Sequence, residues 1–367
     1  MLTKGSFVAK IYTQNEKGDV KMPFKDLDRF ITEYEKQHGN SGVVRVTCKD
    51  KVIYEQSFGY ADREAKKLFT SDSLFSFYSL SKPFLAIGVM KLKDEGKIEI
   101  DKHPSAYVPE AEGFDREVTL RNMLHHTSGL PDFELTPEFS QKYRIGLPEQ
   151  IRGQLREISR YPNLFRPGTD VRYANINMTV CAVAIENITG MSYSDYMAKN
   201  VFAPLGMKKA RVDRPDLLLP DRVRGYGMEG DRIVPADRTL NWMMGAGDII
   251  GTVDDVYCLN LAIKHKKLLA PKTWEEILTP SPICTFGMGC RVDMWHGKKR
   301  IIHNGGHIGF RTLHIQLPED DFDIIFLSNS GWGEARNDLS EEIFREYYGE
   351  TAEPTHKIEM DKGYIIK

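Results

Sequence analysis

The chain has 367 residues, 41% hydrophobic and 28% charged, a globular composition that excludes a disordered polyelectrolyte. Fifty basic against 52 acidic side chains leave a net charge of -2, so no field of one sign is present to hold nucleic acid or an anionic membrane surface. Five cysteines, Cys48, Cys181, Cys258, Cys284 and Cys290, are odd in number and form no C-x-x-C pair, which argues against a disulfide framework and a zinc site and makes them reduced core residues.

The first 23 residues hold no apolar run longer than Phe7-Val8-Ala9, short of the roughly 7 to 15 residues at the heart of an export signal. No later stretch approaches the ~18 apolar residues of a membrane span, so a cytoplasmic protein is expected. Leu27, Phe30, Ile31 and Tyr34 share one helical face between Pro23 and Gly39. Val43 to Cys48 and Val52 to Phe58 then read as a β-hairpin around Lys49-Asp50-Lys51. A further helix starts at about Ser79 and is apolar on every side from Phe84 to Met90, hence buried. From about residue 100 to 280, helical stretches such as Thr119 to Leu124, Met178 to Ile188 and Ser192 to Asn200 alternate with loops rich in Pro and Gly. The run Lys264-His265-Lys266-Lys267 reads as a solvated helix end. Gly287 to Met294, Arg300 to His303, Phe310 to Leu317 and Asp323 to Ser328 read as strands, joined at Trp295-His296-Gly297-Lys298, Asn304-Gly305-Gly306 and Pro318-Glu319-Asp320-Asp321. A last amphipathic helix covers about Glu334 to Tyr348. This order predicts an α/β fold of the α+β type: an antiparallel sheet flanked by helices and built from both chain ends, 1–99 and 283–367, with an inserted mainly helical lobe, 100–282. A ligand cleft is expected between the two.

Ser79-Leu80-Ser81-Lys82 puts a hydroxyl and an amine one helical turn apart, close enough to exchange a proton. Pro83 lacks an N–H and fits only the first turn, so the serine sits where free backbone donors and the positive helix end converge. The plainer reading makes Ser79 or Ser81 an N-cap and Lys82 a surface charge. The spacing alone does not separate the two, because it recurs by chance in a chain this rich in serine and lysine.

Four further segments follow in order: His126-Thr127-Ser128-Gly129-Leu130-Pro131-Asp132, Arg166-Pro167-Gly168-Thr169-Asp170-Val171-Arg172-Tyr173-Ala174-Asn175, Ala203-Pro204-Leu205-Gly206-Met207 and His303-Asn304-Gly305-Gly306-His307-Ile308-Gly309-Phe310. With Ser79-x-x-Lys82 this set resembles the class C β-lactamase-like serine hydrolases, which include esterases, D-amino-acid peptidases, acyltransferases, DD-peptidases and β-lactamases. The likeness spans about residues 25 to 350. It implies Ser79 as acylated nucleophile, Lys82 as its proton partner, Tyr173 as second proton-transfer group and Asn175 as the residue that orients Lys82 and the substrate. Tyr161-Pro162-Asn163 is a rival Tyr-x-Asn; Tyr173 is preferred because it follows the Pro-Gly-Thr turn. His303-Asn304-Gly305 stands where many relatives have Lys-Thr-Gly, with His307-Ile308-Gly309 as a second register and Gly306 as the second oxyanion donor beside Ser79.

The resemblance implies an acyl-enzyme formed from a small-molecule ester, amide or peptide, with no metal or organic cofactor. Free lysine and tyrosine titrate at about 10.4 and 10, so one of them must be shifted for Ser79 to lose its proton near neutrality. A histidine at position 303 is mostly neutral at pH 7, which weakens the β-lactamase and DD-carboxypeptidase alternatives, as does the lack of an export segment; Arg311 or Arg291 is left as a possible cation for a substrate carboxylate. Two other readings stay open: a catalytically silent relative that binds an acyl ligand, and a metal site at His125-His126 with Asp132, weakened because adjacent helical residues point apart. Trp242-Met243-Met244-Gly245-Ala246-Gly247 is either a cleft wall for an acyl chain or core. Oligomeric state and the roles of Met1 to Pro23 and Thr351 to Lys367 are left open.

Overall fold

The computed structural model describes residues 24–133, 148–214, 217, 219–236 and 243–349, and the backbone of three short strands before them. Trp242, the C-terminal segment from 350 and the rest of the N-terminal segment lie outside the described residues.

The elements that frame the site are, in chain order, β1 (Val8–Lys10), α1 (Leu27–His38), β2 (Gly42–Cys48), β3 (Lys51–Phe58), α2 (Lys82–Asp94), α3 (Asn175–Thr189), α4 (Val253–His265), β4 (Arg291–Trp295), β5 (Lys298–His307), β6 (Phe310–Leu317), β7 (Phe322–Ser328) and α5 (Ala335–Tyr348). Lys49 and Asp50, at φ 52° and 60°, form the two-residue β2–β3 turn, whose left-handed pair matches the twist of the hairpin. The strands make one antiparallel sheet in the order β1-β3-β2-β7-β6-β5-β4. Its central seam joins the two chain ends, with Val46 of β2 opposite Ile324 of β7. Closing so long a loop costs entropy that the buried faces must offset.

Strand alternation divides the core. Leu313, Ile315 and Leu317 of β6 and Phe322, Ile324 and Phe326 of β7 pack with Leu27 and Ile31 of α1 and Ile343 and Phe344 of α5. Ile325, Leu327 and Ile301 pack on the other face with α2, α3 and α4. There β6 turns Thr312, His314 and Gln316 inward; His314 and Gln316 bond Asn260 of α4. Every residue of α2 from Lys82 to Met90 is buried, as its all-round apolarity predicts.

The structure corrects the strand reading at two places. Asn304-Gly305-Gly306 is not a joint: β5 runs on to His307, with Gly305 opposite Thr312 and Gly306 opposite Arg311, and the turn falls at Ile308-Gly309. Short strands also lie in the region read as helices and loops, where Ile249–Gly251 pairs with Phe75–Ser76 and Arg211–Val212, and Tyr226–Glu229 with Arg232–Pro235. Two to four residues are too few to show a period. All five cysteines are free, Cys181 and Cys290 buried and the other three partly exposed. Among the described residues no helix is long and apolar enough to cross a membrane.

Candidate active site

Ser79 lies on a 3-10 turn, Tyr78–Ser81, that feeds directly into α2. Tyr78 is held at φ 50°, a costly conformation for a bulky residue. The surroundings impose it: Phe77 N–H donates to Ile249 O at 2.9 Å, Ile249 N–H to Ser81 Oγ at 3.0 Å, Thr312 Oγ1–H to Phe77 O at 3.0 Å and Tyr78 O–H to Ile308 O at 2.8 Å. Ser81 makes no side-chain cap to α2, so its hydroxyl serves the neighbouring strand instead.

Lys82 is fully buried rather than a surface charge. Its Nζ lies 3.0 Å from Ser79 Oγ, 3.0 Å from Asn175 Oδ1 and 2.6 Å from Ala246 O, and 4.7 Å from the centre of the Tyr173 ring. Burial lowers it from about 10.5 to about 7, with Asp132 and Asp248 resisting the shift. Desolvation likewise pushes Asp248 up to about 7. Tyr173 Oη bonds Ser79 Oγ at 2.7 Å. Serine, lysine, tyrosine and asparagine thus meet at one point. The rival Tyr161-Pro162-Asn163 does not reach it; Asn163 Nδ2 donates to Ser128 O at 2.9 Å and braces the Ser128-Gly129 turn.

Asn175 opens α3, and Asp132 holds it there. Asp132 Oδ2 accepts Asn175 N–H at 2.8 Å and Asn175 Nδ2 at 3.0 Å, while Oδ1 accepts Ile176 N–H at 3.1 Å. A carboxylate at a helix N-terminus is favoured by the exposed donors and by the dipole, and here it also fixes the amide so that Oδ1 faces Lys82. The sequence places Asp132 in one of the ordered motifs and gives it no role beyond a weak metal candidacy. The metal candidates do not converge: His125 Nδ1 bonds Phe286 O at 2.8 Å and His126 Nδ1 accepts Ala174 N–H at 3.2 Å.

Across from the serine, β4 begins only at Arg291, opposite Ile302, so among the described residues no strand pairs with 303–307 of β5 on that edge. Gly305 packs against the Ser79 turn so closely that a Cβ there would collide with Phe77 O and Thr312 Oγ1 and lie 3.1 Å from Ser79 N. Asn304 and Gly306 line a cavity of about 610 Å³ with Ser79, Tyr173, Asn175, Met243 and Gly247. His303 is buried instead: its Nδ1–H donates to Asn304 O at 2.7 Å, and burial with Lys82 nearby pushes it down to about 3. His307, the second register, lines the cavity. Met243 is part of both cavity wall and core, so the two readings of that loop hold together.

Arg311 also lines the cavity, as does Arg336 of α5, which the sequence reading passed over. Arg311 Nη1 donates to His307 O and Phe310 O at 2.9 Å, and Arg336 Nη1 to Gly305 O at 3.2 Å. Arg291 is spent on Asp293 at 2.9 Å and is not part of the wall.

A sequence profile described as Beta-lactamase matches residues 27–345. The chain belongs to the beta-lactamase family. Within that family it is 28% identical over 330 residues to "Penicillin-binding protein 4*" of Bacillus subtilis, covering 83% of this chain and 71% of that one. It is 28% identical over 305 residues to the D-aminopeptidase of Brucella canis, covering 79% of this chain but 56% of that protein. The D-amino acid amidase of Ochrobactrum anthropi, solved with D-phenylalanine, superposes with a TM-score of 0.73 at 24% identity, over 89% of this chain and 99% of that one, and so shares the fold. Like its beta-lactamase-family relatives, the chain is a serine hydrolase.

Proposed function

We propose that Ser79 attacks the carbonyl of a small-molecule ester, amide or peptide and carries the acyl group until water or another nucleophile takes it. The observation that carries this is Ser79 Oγ lying 3.0 Å from Lys82 Nζ and 2.7 Å from Tyr173 Oη. Lys82, near 7, takes the hydroxyl proton, and Tyr173 passes a proton to the leaving group. Asn175 orients Lys82. The N–H groups of Ser79 and Gly306 receive the oxyanion, each donor worth about 3 kcal/mol. His303 supports the strand edge as a neutral ring. The site would lie where the sheet unit, 1–99 and 283–367, meets the helical lobe, 100–282.

Ester and amide substrates are favoured, the amide by the D-aminopeptidase and D-amino acid amidase relatives. Three arginines line the cavity, and two of them, Arg311 and Arg336, favour a second reading in which the substrate carries a carboxylate, as a D-peptide or a lactam acid does. Intact-mass analysis with a small library of esters, D-amino acid amides, D-peptides and lactams tests both. A single acyl adduct at Ser79 that is absent in Ser79→Ala is expected, and an adduct that persists in that variant rules out Ser79. Nitrocefin turnover against a p-nitrophenyl ester panel ranks the substrate classes.

A further inference from the structure

His126 grips three consecutive residues around the proton-transfer tyrosine. Its carbonyl accepts Arg172 N–H at 2.9 Å, its ring Nδ1 accepts Ala174 N–H at 3.2 Å, and its ring stacks on that of Tyr173 with centroids 4.4 Å apart and planes 26° apart. The edge of the histidine meets Phe286 at 5.0 Å, so the imidazole is fixed from both sides. The backbone of His126 sits at φ 59°, a conformation uncommon for histidine, and the side chain is 1% exposed. The ring thus bonds the residue after the tyrosine and stacks on the tyrosine itself, while the main chain of His126 bonds the residue before it.

Because an amide N–H can only donate, Nδ1 is the acceptor and the ring proton sits on Nε2. That Nε2 is buried without a hydrogen-bond partner among the described residues. Burial, and then Lys82, His303 and His125, hold His126 well below its ordinary value, so the acceptor persists at neutral pH.

We infer that His126 is a positioning residue for Tyr173: by holding the backbone on either side of the tyrosine and stacking on its ring, it fixes the phenol oxygen on Ser79. This rests on the proton-transfer role proposed for Tyr173. A displacement of about 1 Å in such a group costs on the order of 100-fold in rate.

Two variants separate the two grips. His126→Asn keeps an acceptor close to the place of Nδ1 and tolerates a positive φ, but loses the stack; His126→Phe keeps the stack and loses the acceptor. Tyr173→Phe and the double variant His126→Asn/Tyr173→Phe complete a cycle. The acylation rate constant for an unactivated alkyl ester, whose leaving group needs a proton, followed by intact mass over the adduct-forming fraction so that only folded enzyme counts, is the readout. His126→Asn should slow acylation about 10- to 100-fold with KM within about threefold, and should cost less than about twofold when Tyr173 is already phenylalanine. An equal loss in both backgrounds, or no loss in either, overturns the inference, and it does so even where His126→Phe fails to fold. Tyr173→Phe acylating at the parent rate would remove the tyrosine's role and the inference with it; a slow Tyr173→Phe beside a fast His126→Asn would remove the inference alone.

Discussion

Lys82 has three polar neighbours within 3.0 Å, and two of them, Asn175 Oδ1 and Ala246 O, can only accept. A neutral amine has two hydrogens and one lone pair. If both hydrogens go to those acceptors, the lone pair is left for Ser79 Oγ–H, so deprotonated Lys82 is already arranged as a base. With the group lowered to about 7, activity should climb as pH rises through about 7, because protonated Lys82 has no lone pair to offer. An acylation pH profile checks this, and a rate flat from pH 5 to 9 contradicts it. Lys82→Arg, whose guanidinium stays charged, should lose at least about 10³-fold in kcat/KM while remaining folded enough to bind ligand. At this scale the contact between Ser79 and Lys82, the proposed nucleophile and amine, was legible in the sequence, because their spacing is a local fact of one turn. The sequence did not supply the contacts of Asp132 and His126. Their partners Asn175 and Ala174 are more than 40 residues away, and nothing in a one-dimensional pattern says which buried polar groups will meet.

At the scale of elements, the decisive one is β5, which carries on past its pairing with β4 and brings an edge left unpaired among the described residues beside the serine turn. Two glycines make this possible, since any side chain at 305 would fall on Phe77 O and Thr312 Oγ1. Gly305→Ala should therefore push β5 away from Ser79, lowering kcat by at least about 10-fold and stability by about 1–3 kcal/mol, an overpacking cost. Urea melts and burst kinetics on the same sample read both; an unchanged rate would mean that the edge does not need to approach so closely. Reading the two glycines as a turn was natural, because glycine marks turns and close approaches alike and only the partner strand tells them apart. The hairpins and helices α1, α2 and α5 were legible because each buries one continuous pattern of its own.

For the whole molecule, acid is the sharpest test. His125, His126, His303 and His314 are all held below their ordinary value by burial, His303 to about 3 and His314 to about 4. Their contribution is fully present above about pH 6.5 and is lost as pH falls toward those lower values, since only the unfolded chain takes the protons. Asp248 and Asp323, each pushed up to about 7, act in the opposite direction, binding protons in the folded state first. Glu35 and Glu346, raised by burial as well, add to the aspartates' side, so the histidine contribution is read by difference: His314→Asn should make the melting temperature less sensitive to acid between pH 6.5 and 4.5 than the parent's. The same acid dependence in His314→Asn as in the parent would show that this buried histidine is not held neutral.

Composition, periodicity and local spacing determined by themselves that this chain folds around an antiparallel sheet made from its two ends and that a serine and a lysine lie one turn apart at the start of an interior helix. These are properties of segments, set by which side chains repeat at which interval. Tertiary structure alone decided that Asn175, Tyr173 and the β5 edge arrive at that turn, that His303 is buried rather than offered to the substrate, and that Arg336 joins the wall. The reason is physical: the burial that lowers the lysine and the contacts around the tyrosine exist only when segments far apart in sequence are packed against one another.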